Sequence, residues 1–138
     1  MNTKVSSPDV GRSFSLRTAP VELEDIVRYA GAAGDFNPMH FDHDLAVAAG
    51  FPDNFAQGML TAGLVGVLVG SEFGPERVRG LGIRFKAPIW VGDAPTVAGE
   101  VVSIEDDLAR IELTVAVDER EVAQGWMTID TSDEEEDE

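Results

Sequence analysis

The stretch VELEDIVRYAGAAG, residues 21–34, places Leu23, Ile26, Val27 and Ala30 at i, i+3, i+4 and i+7. That is one apolar face of a helix. Glu22, Glu24 and Asp25 sit at its positive N-terminal end, and Gly31 and Gly34 loosen and end it. Before it, Arg12 to Leu16 reads as a short strand. Residues 35–57 lose the period and are punctuated by Asn37-Pro38, Gly50 and Pro52, with a short helix expected near 44–49. QGMLTAGLVGVLVG, residues 57–70, is apolar or small on every side, the mark of a helix enclosed by protein. Its four glycines, Gly58, Gly63, Gly66 and Gly70, each cost roughly 1 kcal/mol relative to Ala. Close packing against strands and room for a ligand both explain them.

From Arg79 onward the period changes to two. Leu81, Ile83 and Phe85 alternate with Arg84 and Lys86, and three further strand-like runs follow. Acidic turns at Asp106-Asp107 and Asp118-Glu119 separate these runs, which favours an antiparallel meander. A helix-rich half followed by strands predicts an α+β class. A sheet curled around the apolar helix would supply the cover that helix needs.

Length and charge narrow the picture. At 138 residues the chain fits one domain. Residues 1–131 read as that domain and 132–138 as a solvated, disordered acidic tail. The sequence has 26 acidic and 10 basic residues, a net charge of −16. Six acids lie in SDEEEDE; without them the count is 20 against 10, still −10. An acidic body repels phosphates, which argues against a nucleic-acid partner. Lys4 and Lys86 are the only lysines. Acid-rich and lysine-poor together suggest adaptation to high salt, with an ordinary acidic protein as the alternative. With no cysteine, disulfides and thiolate metal sites are excluded. Neither a signal peptide nor a membrane-length apolar run is expected, so the expectation is a cytoplasmic protein without a membrane partner.

The chemistry concentrates in GDFNPMHFDHD, residues 34–44, which holds both histidines of the chain. Asp35 and His40 flank the Pro38 break, so a turn can bring carboxylate and imidazole to face one water. Asn37 can hold that turn through its side chain. Three readings stand on the residues alone: a structural turn with solvated histidines, a metal site of His40, His43 and an aspartate, and an acid/base pair.

YAGAAGDFNPMHFD together with AQGMLTAG resembles the MaoC-like, (R)-specific enoyl-CoA hydratase family, over roughly Phe14 to Thr131. The resemblance implies a hot-dog fold, an antiparallel sheet wrapped around a central helix. It implies hydration of trans-2-enoyl thioesters, or dehydration of (3R)-hydroxyacyl thioesters, with Asp35 and His40 as the catalytic pair. The backbone N–H of Gly58 would face the thioester carbonyl, and Asn37 would support the site. Ala62, Gly66 and Val69, with Gly70, recur along the helix where the acyl chain would run. No metal or cofactor is implied. The implied partners are an acyl thioester of coenzyme A or acyl carrier protein and a second copy of the chain, with a heterodimer as the alternative. A hot-dog acyl-thioesterase is the competing activity. One departure stands out: Gln57 occupies the position where the family commonly has histidine. His43 falls outside the motif and is given no role.

Overall fold

The computed structural model describes residues 7–132. Its elements, in chain order, are β1 (Ser13–Arg17), α1 (Leu23–Ala33), α2 (His43–Ala48), α3 (Gly58–Phe73), β2 (Val78–Phe85), β3 (Thr96–Glu105), β4 (Leu108–Val117) and β5 (Arg120–Asp130). Single 3₁₀ turns precede α2, at Pro38–His40, and β2, at Pro75–Arg77. The acidic residues from 133 onward lie outside the described part of the chain.

The strands form one antiparallel sheet of five, in the order β1-β3-β4-β5-β2. The expected meander is present in β3-β4-β5. Its first turn works because Asp106 and Asp107 both adopt positive φ, 50° and 62°, the conformation that matches the twist of paired strands. Strand β2 departs from the meander and pairs with β5 at the sheet's edge. Strand β4 shows why the sheet has one dry face. Ala109, Ile111, Leu113, Val115 and Val117 are buried, while Arg110, Glu112 and Thr114 between them are exposed.

Helix α3 lies on that dry face. Val65, Leu68, Val69 and Phe73 are at most 2% exposed and share one core with Val97, Val101, Ile111, Leu113, Val115 and Met127. Phe73 meets Phe14 edge to face, ring centres 5.2 Å apart. Gly99 makes this possible, because a Cβ there would stand 2.7 Å from the Phe14 ring. Each fully buried side chain of this kind contributes roughly 1.5–3 kcal/mol. The result is the α+β hot-dog arrangement, with a sheet wrapped on a central helix.

Two expectations are corrected. The central helix is not enclosed on all sides: Met59 and Val67 are each 59% exposed, and Gly63 between them is exposed too. The described residues form one sheet and it covers one side of α3, so the stripe at i, i+4 and i+8 stays bare. The apolar face of α1 is likewise covered only in part. Ile26 and Ala30 are buried, whereas Leu23 and Val27 flank the contact and stay exposed.

Candidate active site

The segment after α1 folds through a succession of local caps. Gly34, at φ 70°, ends the helix in the left-handed conformation that glycine adopts without strain. The N–H groups of Gly34 and Asp35 both reach back to the carbonyl of Ala30. Asn37 then accepts a hydrogen bond from Met39 N at 3.2 Å, with Pro38 at the first position of the 3₁₀ turn. A fixed φ and a missing donor suit that position. Asp42 caps α2 by accepting from Leu45 N at 3.1 Å. The turn expected around Asn37-Pro38 is therefore a built one.

Residues 53–57 anchor this segment from the other side. Asn54, 2% exposed, donates from its side-chain nitrogen to Met39 O at 3.0 Å. His40 is 8% exposed, and its Nδ1 lies 2.9 Å from Phe55 O. A carbonyl can only accept, so Nδ1 carries the proton of the neutral ring. That leaves Nε2 bare, and Nε2 is the atom that faces Asp35 Oδ2, at 3.9 Å. The gap is too long for a direct hydrogen bond and leaves both groups open to one shared water. The other carboxylate oxygen of Asp35 accepts from Asn37 N at 3.3 Å, which orients it. A bare imidazole nitrogen and a half-exposed carboxyl, each held by its far atom, can divide a proton-transfer task.

His43 goes elsewhere. It faces Asp53 at 3.7 Å on the surface. Among the described residues no three His, Asp or Glu side chains stand where they could hold one metal ion.

The first N–H of α3 belongs to Gly58, where no intrahelical acceptor exists. Gly58 opens on a cleft of about 330 Å³ lined by Phe55, Ala56, Thr61, Phe85, Lys86, Ala87, Pro88 and Ile89. A side chain at 58 would meet the Phe85 ring at 3.3 Å, so the bare backbone keeps the cleft mouth open. Phe55 joins the two halves: its ring lies edge to face with His40, centres 5.0 Å apart, and it forms a wall of the cleft. Gln57, just before Gly58, is 1% exposed and donates to Ile26 O at 3.0 Å, tying the start of α3 to α1. Its Oε1 has no partner among the described residues.

The three positions further along α3 differ. Ala62, 5% exposed, and Val69, 0% exposed in the core, do not line that cleft. Gly66 is half-buried, and a Cβ there would meet nothing within 4 Å. No strand fills the Gly66 gap. Sequence reasoning missed Asn54, Phe55, Thr61 and Phe85. Their roles depend on contacts between residues distant in sequence, and only the buried polar character of Asn54 and Thr61 hinted at them.

Comparison with known proteins bears on this geometry. The family model described as "MaoC like domain" matches residues 5–124. An (R)-specific enoyl-CoA hydratase of Rhodospirillum rubrum is 32% identical over 123 residues, 86% of this chain and 85% of that protein. A 3-hydroxybutyryl-CoA dehydratase of Methylorubrum extorquens is 31% identical over 120 residues, 84% of this chain and 76% of that protein. Among solved structures, the (R)-hydratase from A. caviae involved in PHA biosynthesis superimposes with a TM-score of 0.82. It is 24% identical and the match covers 90% of this chain and 97% of that one; at that identity the likeness speaks to the fold.

Proposed function

Because the chain belongs to the MaoC-like domain family and is a hydro-lyase, we propose that it adds water to trans-2-enoyl thioesters and, in reverse, dehydrates (3R)-hydroxyacyl thioesters. The observation that carries this reading is the Asp35–His40 pair, with Nδ1 fixed on Phe55 O and the bare Nε2 turned to the carboxyl.

Water is held between the two groups. His40 Nε2 takes one of its protons while the oxygen bonds to C3 of the enoyl group. Asp35 delivers a proton to C2, so both atoms are added to one face of the double bond. The π electrons pass through an enolate-like oxygen, which the Gly58 N–H and the positive end of α3 stabilise. After the reaction His40 holds the extra proton and Asp35 has lost one. Transfer back across the 3.9 Å gap, through the next water, resets the pair. Asn37 supports the turn, and the acyl chain runs along α3 from the cleft at Gly58 toward the open Gly66, with Ala62 and Val69 packed behind it.

The acyl carrier is coenzyme A or a carrier protein. The chain works as a cytoplasmic homodimer, and a heterodimer is the other assembly to test for. Strand β2 supports a second copy: its outer edge is unpaired among the described residues, and Leu81 and Phe85 are 45% and 46% exposed on it. No helix among the described residues is long and apolar enough to cross a membrane.

The test is an assay on crotonyl-CoA, following loss of the conjugated double bond, beside thiol release from saturated acyl-CoA. Hydration without thiol release is expected. Thiol release without hydration would make the chain a thioesterase on the same fold.

A further inference from the structure

We infer that the Thr61 hydroxyl is a second hydrogen-bond donor to the thioester carbonyl oxygen, beside the Gly58 N–H; the inference rests on the hydratase reading above. Thr61 lines the cleft on which Gly58 opens. It stands three residues further along α3. Side chains on a helix lean back toward its N-terminus, so that of Thr61 hangs over the turn that Gly58 begins.

The hydroxyl has nothing else to do. Thr61 is 5% exposed, yet no described residue hydrogen-bonds its side chain. The usual acceptor for a helical threonine is the carbonyl one turn back. Here that carbonyl, Gln57 O, already takes the N–H groups of Leu60 at 3.0 Å and Thr61 at 3.4 Å, and the hydroxyl does not join them. Thr61 Oγ1 is not sealed off: it reaches the cleft surface, where valine, of the same shape, would offer no donor.

The chemistry of the cleft points the same way. A developing enolate oxygen calls for more than one donor, and the Gly58 backbone supplies one. Of the side chains lining the cleft only Thr61 and Lys86 carry a donor, and Lys86 is held by Glu121 at 3.1 Å. The hydroxyl proton can rotate onto the oxygen without moving the backbone. Because its bond strengthens as charge builds on that oxygen, its effect falls on kcat and not on KM.

The experiment compares kcat and KM for crotonyl-CoA in wild type, Thr61→Val, Thr61→Ser and Thr61→Ala, with folding checked by thermal unfolding. Thr61→Val is expected to lower kcat by about 10- to 100-fold, somewhat less than a rigid oxyanion donor removed elsewhere, with KM within about 3-fold. Thr61→Ser keeps the hydroxyl and is expected to stay within about 3-fold of wild type. Thr61→Ala should fall as Thr61→Val does, and carries the test if the valine variant does not fold. Wild-type kcat in the hydroxyl-free variants overturns the inference, and so does a loss that Thr61→Ser shares. A wild type that hydrates nothing overturns the hydratase reading and this inference together; an active wild type with an unaffected Thr61→Val overturns this inference alone.

Discussion

Asp35 and His40 are each anchored by the atom that faces away from the other. Asn37 N holds one carboxylate oxygen and Phe55 O holds Nδ1, so the remaining oxygen and nitrogen are presented in fixed positions. Replacing either group removes one proton-transfer role and leaves the other intact. Asp35→Asn and His40→Ala are each expected to lower crotonyl-CoA hydration by at least ~10²-fold, the lower range for lost acid/base groups. His43→Ala should keep most activity, since His43 sits 60% exposed beside Asp53 and away from that pair. Steady-state rates of the three folded variants decide it; an equally damaging His43→Ala would return the metal reading. Gln57 shows how a departure from a pattern can be absorbed. Its amide donates to Ile26 O, a structural duty that needs a donor and no titrating group.

At the scale of elements, α1 and α3 matter for where they end. Helix α1 delivers Asp35 just past its Gly34 cap. Gly31 inside that helix is exposed, and a Cβ there would meet nothing within 4 Å. Gly31→Ala should therefore stabilise the fold by about 0.5–1 kcal/mol through the entropy of the unfolded chain. Urea unfolding of the two proteins measures it, and a loss of stability would mean that something covers α1 at that point. Helix α3 carries the second prediction. A Cβ at Gly66 would meet nothing within 4 Å, and each methylene of an acyl chain buried there would contribute about 0.8 kcal/mol. Gly66→Leu should then lower kcat/KM for C8 enoyl-CoA far more than for C4. An unchanged chain-length profile in that variant would show that the acyl chain runs elsewhere.

For the whole molecule the governing quantity is charge. Among the described residues six basic side chains are in ion pairs with carboxylates, with Glu72, Glu24, Asp130, Glu121, Glu112 and Asp93. Acids outnumber bases 26 to 10 over the whole chain, so most carboxylates cannot be matched, and two copies at −16 bring together roughly −32. Salt shortens the reach of that repulsion from ~10 Å at 0.1 M to ~3 Å at 1 M. It also weakens the exposed pairs, but these are worth only about 0–1 kcal/mol each. Repulsion therefore decides the sign. The melting temperature and the dimer fraction, from native mass, should both rise from low to molar KCl; a flat or falling melting temperature rules out the halophilic reading.

Periodicity alone placed the strands, the two long helices and the class, because apolar spacing reports which side of an element is dry. The turn around Asn37-Pro38, and with it the approach of Asp35 to His40, were legible for a related reason: caps and turns are local, made by residues within five positions of one another. The resemblance to a family added the fold's name and the role of Gly58. Other features needed the tertiary structure, since they depend on residues far apart in the chain. Phe55 O, fifteen residues from His40, decides which imidazole nitrogen is free. The single sheet decides that Met59 and Val67 stay bare although their helix is apolar all round. The core decides that Val69 is closed while Gly66, one turn away, is open. Thr61 belongs with these, because a threonine in an apolar helix shows its purpose only when the cleft beside it is in place.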